Sequence, residues 1–193
     1  MKPFILASGS PRRKELLKQA RYTFSIQTSD VDETVNPQLT PSEVVCELAR
    51  KKAEAVAQNH PDAVVLGSDT VVVCNDQILG KPSDAAEAKA MLTSLSDRDH
   101  SVLTGVAICE KGEVTTFFEE TVVHFYPLSE EDIDQYLETG EPFDKAGGYG
   151  IQGFGAYLVH SISGDYNTVV GLPLAKTMRE LKRFNIHPNI DSP

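Results

Sequence analysis

One carboxylate stands inside an otherwise apolar run. From Val64 to Val73 the chain reads as a buried strand, interrupted by Gly67-Ser68-Asp69-Thr70. A buried, unpaired carboxylate is costly, so Asp69 must have a hydrogen-bonding partner, a metal ion or a raised pKa. Each of these suits a group that activates water or holds Mg²⁺. A carboxylate satisfied by backbone amides at a strand end is the plainer alternative, but the interruption is abrupt and favours function.

A second set of residues could handle an anion. Ser8-Gly9-Ser10-Pro11-Arg12-Arg13 follows a short apolar stretch and opens a helix. Free amides and the dipole at a helix start attract anions. Arg12, Arg13 and Lys14 crowd that first turn, where cations are slightly unfavourable. A phosphate chain would offset this, and guanidinium forks fit phosphate oxygens; a solvated basic face would carry the same residues. No Gly-Lys-Ser/Thr follows the glycine, so this is not a Walker A loop.

Four further segments are weaker when taken singly. Lys52 falls on the apolar stripe of Val45, Leu48 and Val56, where a lysine either snorkels outward or meets an anion; Arg50 and Lys51 point elsewhere. The loop Asp30-Val31-Asp32-Glu33 could lend an oxygen to a hard cation, although acidic loops are more often solvated. Gly80-Lys81-Pro82 holds a lysine between a glycine and a rigid proline. In Phe143 to Gly153, four glycines fall within seven residues, which reads as a flexible loop; Gln152 there offers a donor and an acceptor to a base edge.

These residues need elements to hold them. Phe4 to Ala7 reads as a strand, and Ser10-Pro11 starts a helix with Leu16, Leu17 and Ala20 on its apolar side. Tyr22 to Gln27 alternates as a strand. Thr40-Pro41-Ser42-Glu43 is a capping box that opens a helix to about Gln58. Asn75-Asp76 turns the Asp69 strand into a short partner ending at Gly80. Helices follow over Asp84 to Leu95, Ser129 to Leu137 and Pro173 to Phe184. Val102 to Cys109 and Val114 to Phe125 form a hairpin, and Ala156 to Ile162 is a last strand. Early helix–strand alternation with a central hairpin predicts an α/β protein with a mixed sheet, one domain over residues 1–186 and a C-terminal tail over 187–193.

Composition narrows the partners. A chain of 193 residues with 40% apolar and 24% charged content is an ordinary globular protein. Its net charge of −10 disfavours stable polynucleotide binding, while local basic clusters still suit a small polyanion. No apolar run approaches the roughly 20 residues needed to span a bilayer, and the start reads as a strand rather than a signal peptide, so a cytoplasmic protein is expected. Cys46, Cys74 and Cys109 read as reduced thiols, and the five histidines show no ligand spacing.

Taken together these segments resemble the Maf family of nucleotide pyrophosphatases. The residues that carry the resemblance are Ala7 to Arg13, Asp32-Glu33, Leu48 to Ala53, Gly67 to Thr70, Gly80 to Pro82, Asp144 to Gly147 with Gly150 to Gly153, and Asn167 to Pro173, in family order along nearly the whole chain. Gly9 stands where many relatives have another small residue. The resemblance implies an elongated mixed β-sheet flanked by helices, with two lobes around a central cleft, similar to inosine triphosphate pyrophosphatases. It implies hydrolysis of a nucleoside triphosphate to the monophosphate and pyrophosphate, a divalent cation (Mg²⁺ or Mn²⁺), a cytoplasmic location and, in many members, a homodimer. It makes Asp69 the catalytic base, lets Glu33 assist at the metal or water, and places Ser8, Arg13, Lys52 and Lys81 along the phosphates. Arg12, Thr70 and Gln152 match the dTTP/UTP branch. The 7-methyl-GTP branch carries tryptophan, glutamine and glutamate there, which suits a cationic base; this chain has no tryptophan. The rival readings are a non-enzymatic nucleotide-binding regulator of septum formation and an enzyme for another modified nucleotide.

Overall fold

Most of the apolar strands and helices appear where the pattern puts them. The structure, a computed structural model, describes residues 2–190. Strand β1 (Phe4–Leu6) is wholly buried and pairs in parallel with β2 (Ser25–Ile26) on one side and β3 (Val64–Cys74) on the other. Strands β4 (Gln77–Leu79), β5 (Asp99–Glu110), β6 (Glu113–Phe125) and β7 (Val159–Ser163) complete a seven-stranded sheet of order β2-β1-β3-β5-β6-β7, with β4 on β3. β4 and β7 join in antiparallel fashion, so the sheet is mixed. Asn75 and Asp76 both have positive φ, the backbone of a two-residue type I′ hairpin. Helices α1 (Pro11–Gln19), α2 (Pro41–Ala57), α3 (Ala85–Leu95), α4 (Glu130–Glu138), α5 (Tyr166–Val170) and α6 (Leu174–Arg183) accompany it. No described helix is long and apolar enough to cross a membrane.

The chain divides into two compact units: Met1–Asp69 with Thr104–Glu119 and Gly171–Pro193, and Thr70–Leu103 with Glu120–Val170. Strands β3, β5 and β6 contribute residues to both.

In the first unit, α2 decides the layout. Its capping box is complete: Glu43 N donates to Thr40 Oγ1 at 3.4 Å, and Thr40 N donates to Glu43 Oε2 at 2.8 Å. Its buried face of Val44, Val45, Leu48, Ala49, Ala53 and Val56 meets the sheet at two glycines. A Cβ on Gly67 of β3 would lie 2.3 Å from Ala49 O and 2.8 Å from Ala53 N. A Cβ on Gly105 of β5 would lie 2.4 Å from Val45 O. Backbone therefore rests on backbone, which only glycine permits.

The second unit is built on Val72, Leu92, Leu95, Val123, Phe125, Ile133, Tyr136, Tyr149 and Leu158. His100 is buried there, edge-on to Phe125 and Tyr149, and its Nε2 shares a 2.6 Å hydrogen bond with Tyr149 Oη. Burial pulls the His100 pKa down to about 4, with Arg98 and Asp99 opposing in part. A folded pKa below the ordinary 6.5 means that the unfolded chain binds the extra proton. Stability is then full above about pH 6.5 and falls as pH drops toward 4, by up to roughly 3 kcal/mol. Urea unfolding at pH 7.5 and 4.5 should show this loss, and His100→Gln should remove most of the difference. An equal acid loss in both proteins would clear His100 of it.

Three sequence expectations change. The strand expected over Ala156 to Ile162 begins at Val159, because residues Gly153–Leu158 form a 3-10 helix. The strand expected over Tyr22 to Gln27 shrinks to Ser25–Ile26, which pairs only with the short β1. α5 was not anticipated. In the tail, Asn189 N donates to Arg21 O at 2.8 Å, and residues 191–193 lie outside the described residues.

Candidate active site

The turn after β1 folds around its own hydroxyls. Ser10 caps α1, and its side chain accepts from Arg13 N at 3.5 Å. Ser8 Oγ accepts from Ser10 N at 3.2 Å and from Arg13 Nη1 at 3.1 Å. Arg13 Nε donates to Gly171 O at 2.7 Å, and Ser68 Oγ donates to the same carbonyl at 3.3 Å. Arg13 is thus held through Nε and Nη1, half-buried, in the first turn of α1. Burial lowers its pKa; Asp69 opposes that shift, Arg12 adds to it, and Glu33 opposes it. A guanidinium stays charged through such a shift.

Lys52 resolves the question that Asp69 poses. Its Nζ lies 2.6 Å from Asp69 Oδ1 and 2.8 Å from Glu33 Oε1. The Lys52 and Asp69 side chains are 16% and 14% exposed, whereas Glu33 is 62% exposed. The carboxylate in the apolar strand is therefore paired. The lysine on the apolar stripe neither snorkels outward nor stands alone. Gly67 lies two residues before Asp69, and Ala49 and Ala53, which touch Gly67, bracket Lys52, so the close approach of α2 to β3 sets the pair's spacing.

Ser8, Arg13, Glu33, Lys52 and Asp69 are thus gathered in the first unit, with half-buried Arg12 on the first turn of α1. Half-buried Thr70 follows Asp69 on β3. Exposed Lys81 and Gln152 belong to the second unit. There Gly80 O accepts from Gly147 N at 2.9 Å. The glycine-rich segment is well secured rather than loose. Tyr136 Oη accepts from Gly150 N at 3.2 Å, and Lys145 Nζ donates to Glu141 O at 2.6 Å. The Glu141 carboxylate accepts from Phe154 N at 3.1 Å and Gly155 N at 3.4 Å, just after Gln152. Glu141, Tyr136 and the Gly171 carbonyl gave no sequence signal of these tasks, since each contact has a backbone group at one end.

Among the described residues, no group of three or more His, Cys, Asp and Glu side chains gathers as a metal cage. Asp69 and Glu33 do both reach one cation, the Lys52 ammonium. Carboxylate oxygens are the donor type that Mg²⁺ takes.

The profile of the Maf-like proteins matches residues 3–184. This chain belongs to the Maf family. Two similar Maf relatives are each named a dTTP/UTP pyrophosphatase. That of Halalkalibacterium halodurans is 57% identical over 182 residues, covering 94% of this chain and 96% of that protein. That of Bacillus cytotoxicus is 55% identical over 185 residues, covering 96% and 97%. Among solved structures, a Staphylococcus aureus Ham1 protein aligns over 64% of this chain and 72% of its own, at 16% identity and a TM-score of 0.44.

Proposed function

We propose that this Maf protein hydrolyses dTTP and UTP between the α- and β-phosphates, giving the monophosphate and pyrophosphate. The observation that carries the reading is the Asp69–Lys52–Glu33 constellation beside Arg13, in a chain more than half identical to named dTTP/UTP pyrophosphatases. Asp69, kept in place by Lys52, accepts the proton of the attacking water. Ser8 and Arg13 offer donors that are already oriented, and Lys52 has a third N–H beyond the two spent on carboxylates, so these groups hold phosphate oxygens with little reorganisation. The same reading gives Lys81 a phosphate and gives Arg12, Thr70 and Gln152 the base. Asp69 and Glu33 would hold Mg²⁺ or Mn²⁺, which supplies charge neutralisation on the phosphates when bound. A cytoplasmic homodimer completes the proposal, and sedimentation of the purified protein tests its dimeric part.

Pyrophosphate release by the purified protein, with Mg²⁺ or Mn²⁺, across common and modified nucleoside triphosphates is the direct test. Release from dTTP and UTP ahead of the purines is expected. Binding of nucleotide with no release would instead make the chain a nucleotide-binding regulator. Gln152→Glu should lower kcat/KM for dTTP and UTP by about 10-fold, the worth of one hydrogen bond lost to a neutral base. Unchanged kcat/KM for both nucleotides would take Gln152 out of base reading.

A further inference from the structure

Glu33 sits in a segment without regular secondary structure. Residues 27–36 carry no helix or strand, and Asp32, Glu33 and Thr34 are all exposed. Glu33 nonetheless reaches Lys52 at 2.8 Å. Exposed ion pairs contribute little by themselves, so the Lys52 contact to a 62% exposed carboxylate does not by itself order ten residues of loop.

The neighbouring lysine restrains the backbone of this segment. Lys51 Nζ donates to Asp32 O at 3.2 Å and to Thr34 O at 2.6 Å, the two carbonyls on either side of Glu33. Asp32 Oδ1 accepts from Thr34 N at 2.8 Å, which folds the same three residues into a turn. Periodicity turned Lys51 away from the apolar face of α2, and that direction is what lets it reach the loop. Consecutive lysines on α2 thus take the segment by two handles: Lys51 by its backbone, Lys52 by its carboxylate.

We propose that Lys51 is a positioning residue, which presents Glu33 to the Asp69 site by clamping the backbone on both sides of it. The proposal rests on the function given above, but the clamp is measurable without it. Lys51→Met keeps the aliphatic stem and removes the donors, whereas Lys51→Arg restores charge and donors.

In the full chain without nucleotide, amide hydrogen exchange of residues 32–35 should accelerate in Lys51→Met while the melting temperature holds. In turnover, kcat for dTTP should fall about 10- to 100-fold, as for other residues that orient a working group, with KM little changed. Lys51→Arg should recover much of both. Unchanged loop exchange in Lys51→Met overturns the proposal, and so does accelerated exchange with unchanged kcat. A wild-type protein that turns over neither dTTP nor UTP, yet whose loop loosens in Lys51→Met, retains the clamp and loses the function reading instead.

Discussion

Asp69→Asn is expected to lower kcat for dTTP and UTP by about 10²- to 10⁴-fold, the range of a lost general base. Asparagine keeps the shape of the side chain and one oxygen to accept from Lys52, which lies at 2.6 Å in the native pair. Lys52 also retains Glu33 at 2.8 Å. The lysine is therefore not left as an unpaired half-buried charge, and unfolding stability should drop by no more than about 1–2 kcal/mol. Arg13, held by Ser8 and Gly171, keeps its place, so KM should change far less than kcat. Steady-state kinetics beside urea unfolding separates these effects. Wild-type kcat in folded Asp69→Asn would remove Asp69 as the base.

Gly67→Ala should damage stability and turnover together. The new methyl would stand 2.3 Å from Ala49 O and 2.8 Å from Ala53 N, well inside the roughly 3.5 Å at which carbon contacts become favourable. Both neighbours are backbone, so no flexible side chain can yield, and α2 must lift from β3. Overpacking of this kind costs typically 1–3 kcal/mol. Ala49 and Ala53 bracket Lys52, so the same displacement moves the ammonium relative to Asp69. A shift of about 1 Å at a working group can cost about 10²-fold in rate. Gly80→Ala is the matched control, because a Cβ there meets nothing within 4 Å. If Gly67→Ala unfolds at the same urea concentration as Gly80→Ala, the close approach of helix and strand does not govern the site.

The parts of this site that were legible in the sequence are those in which one residue breaks a regular pattern. Asp69 broke an apolar strand, and Lys52 broke an apolar helical stripe; the structure pairs the two with each other. Regular elements behaved likewise: the capping box of α2 and the Asn75-Asp76 hairpin lie where their residue types required. What was not legible depended on contacts distant in the chain or on backbone groups. The glycine-rich segment read as flexible, but Tyr136 and Glu141 bind its amides, which no local pattern reveals. Residues Gly153–Leu158 lost the expected start of a strand to a 3-10 helix whose first amides Glu141 accepts. The role of Lys51 was invisible for a similar reason, since its partners are two carbonyls in a segment without periodicity.

The seating of α2 on two glycines also sets an order of events during synthesis. The ribosome finishes the helix before either strand beneath it, and Gly105 emerges long after Val45, the residue it must receive. Until β5 is complete, the buried stripe of α2 has only part of its floor, and a nascent chain carries that stripe uncovered, as slow non-local pairings require. Lys52 and Asp69 can already meet by then, because β3, against which α2 sets their spacing, precedes β5. What comes late is the full seating of α2, complete only once the chain has passed Gly105.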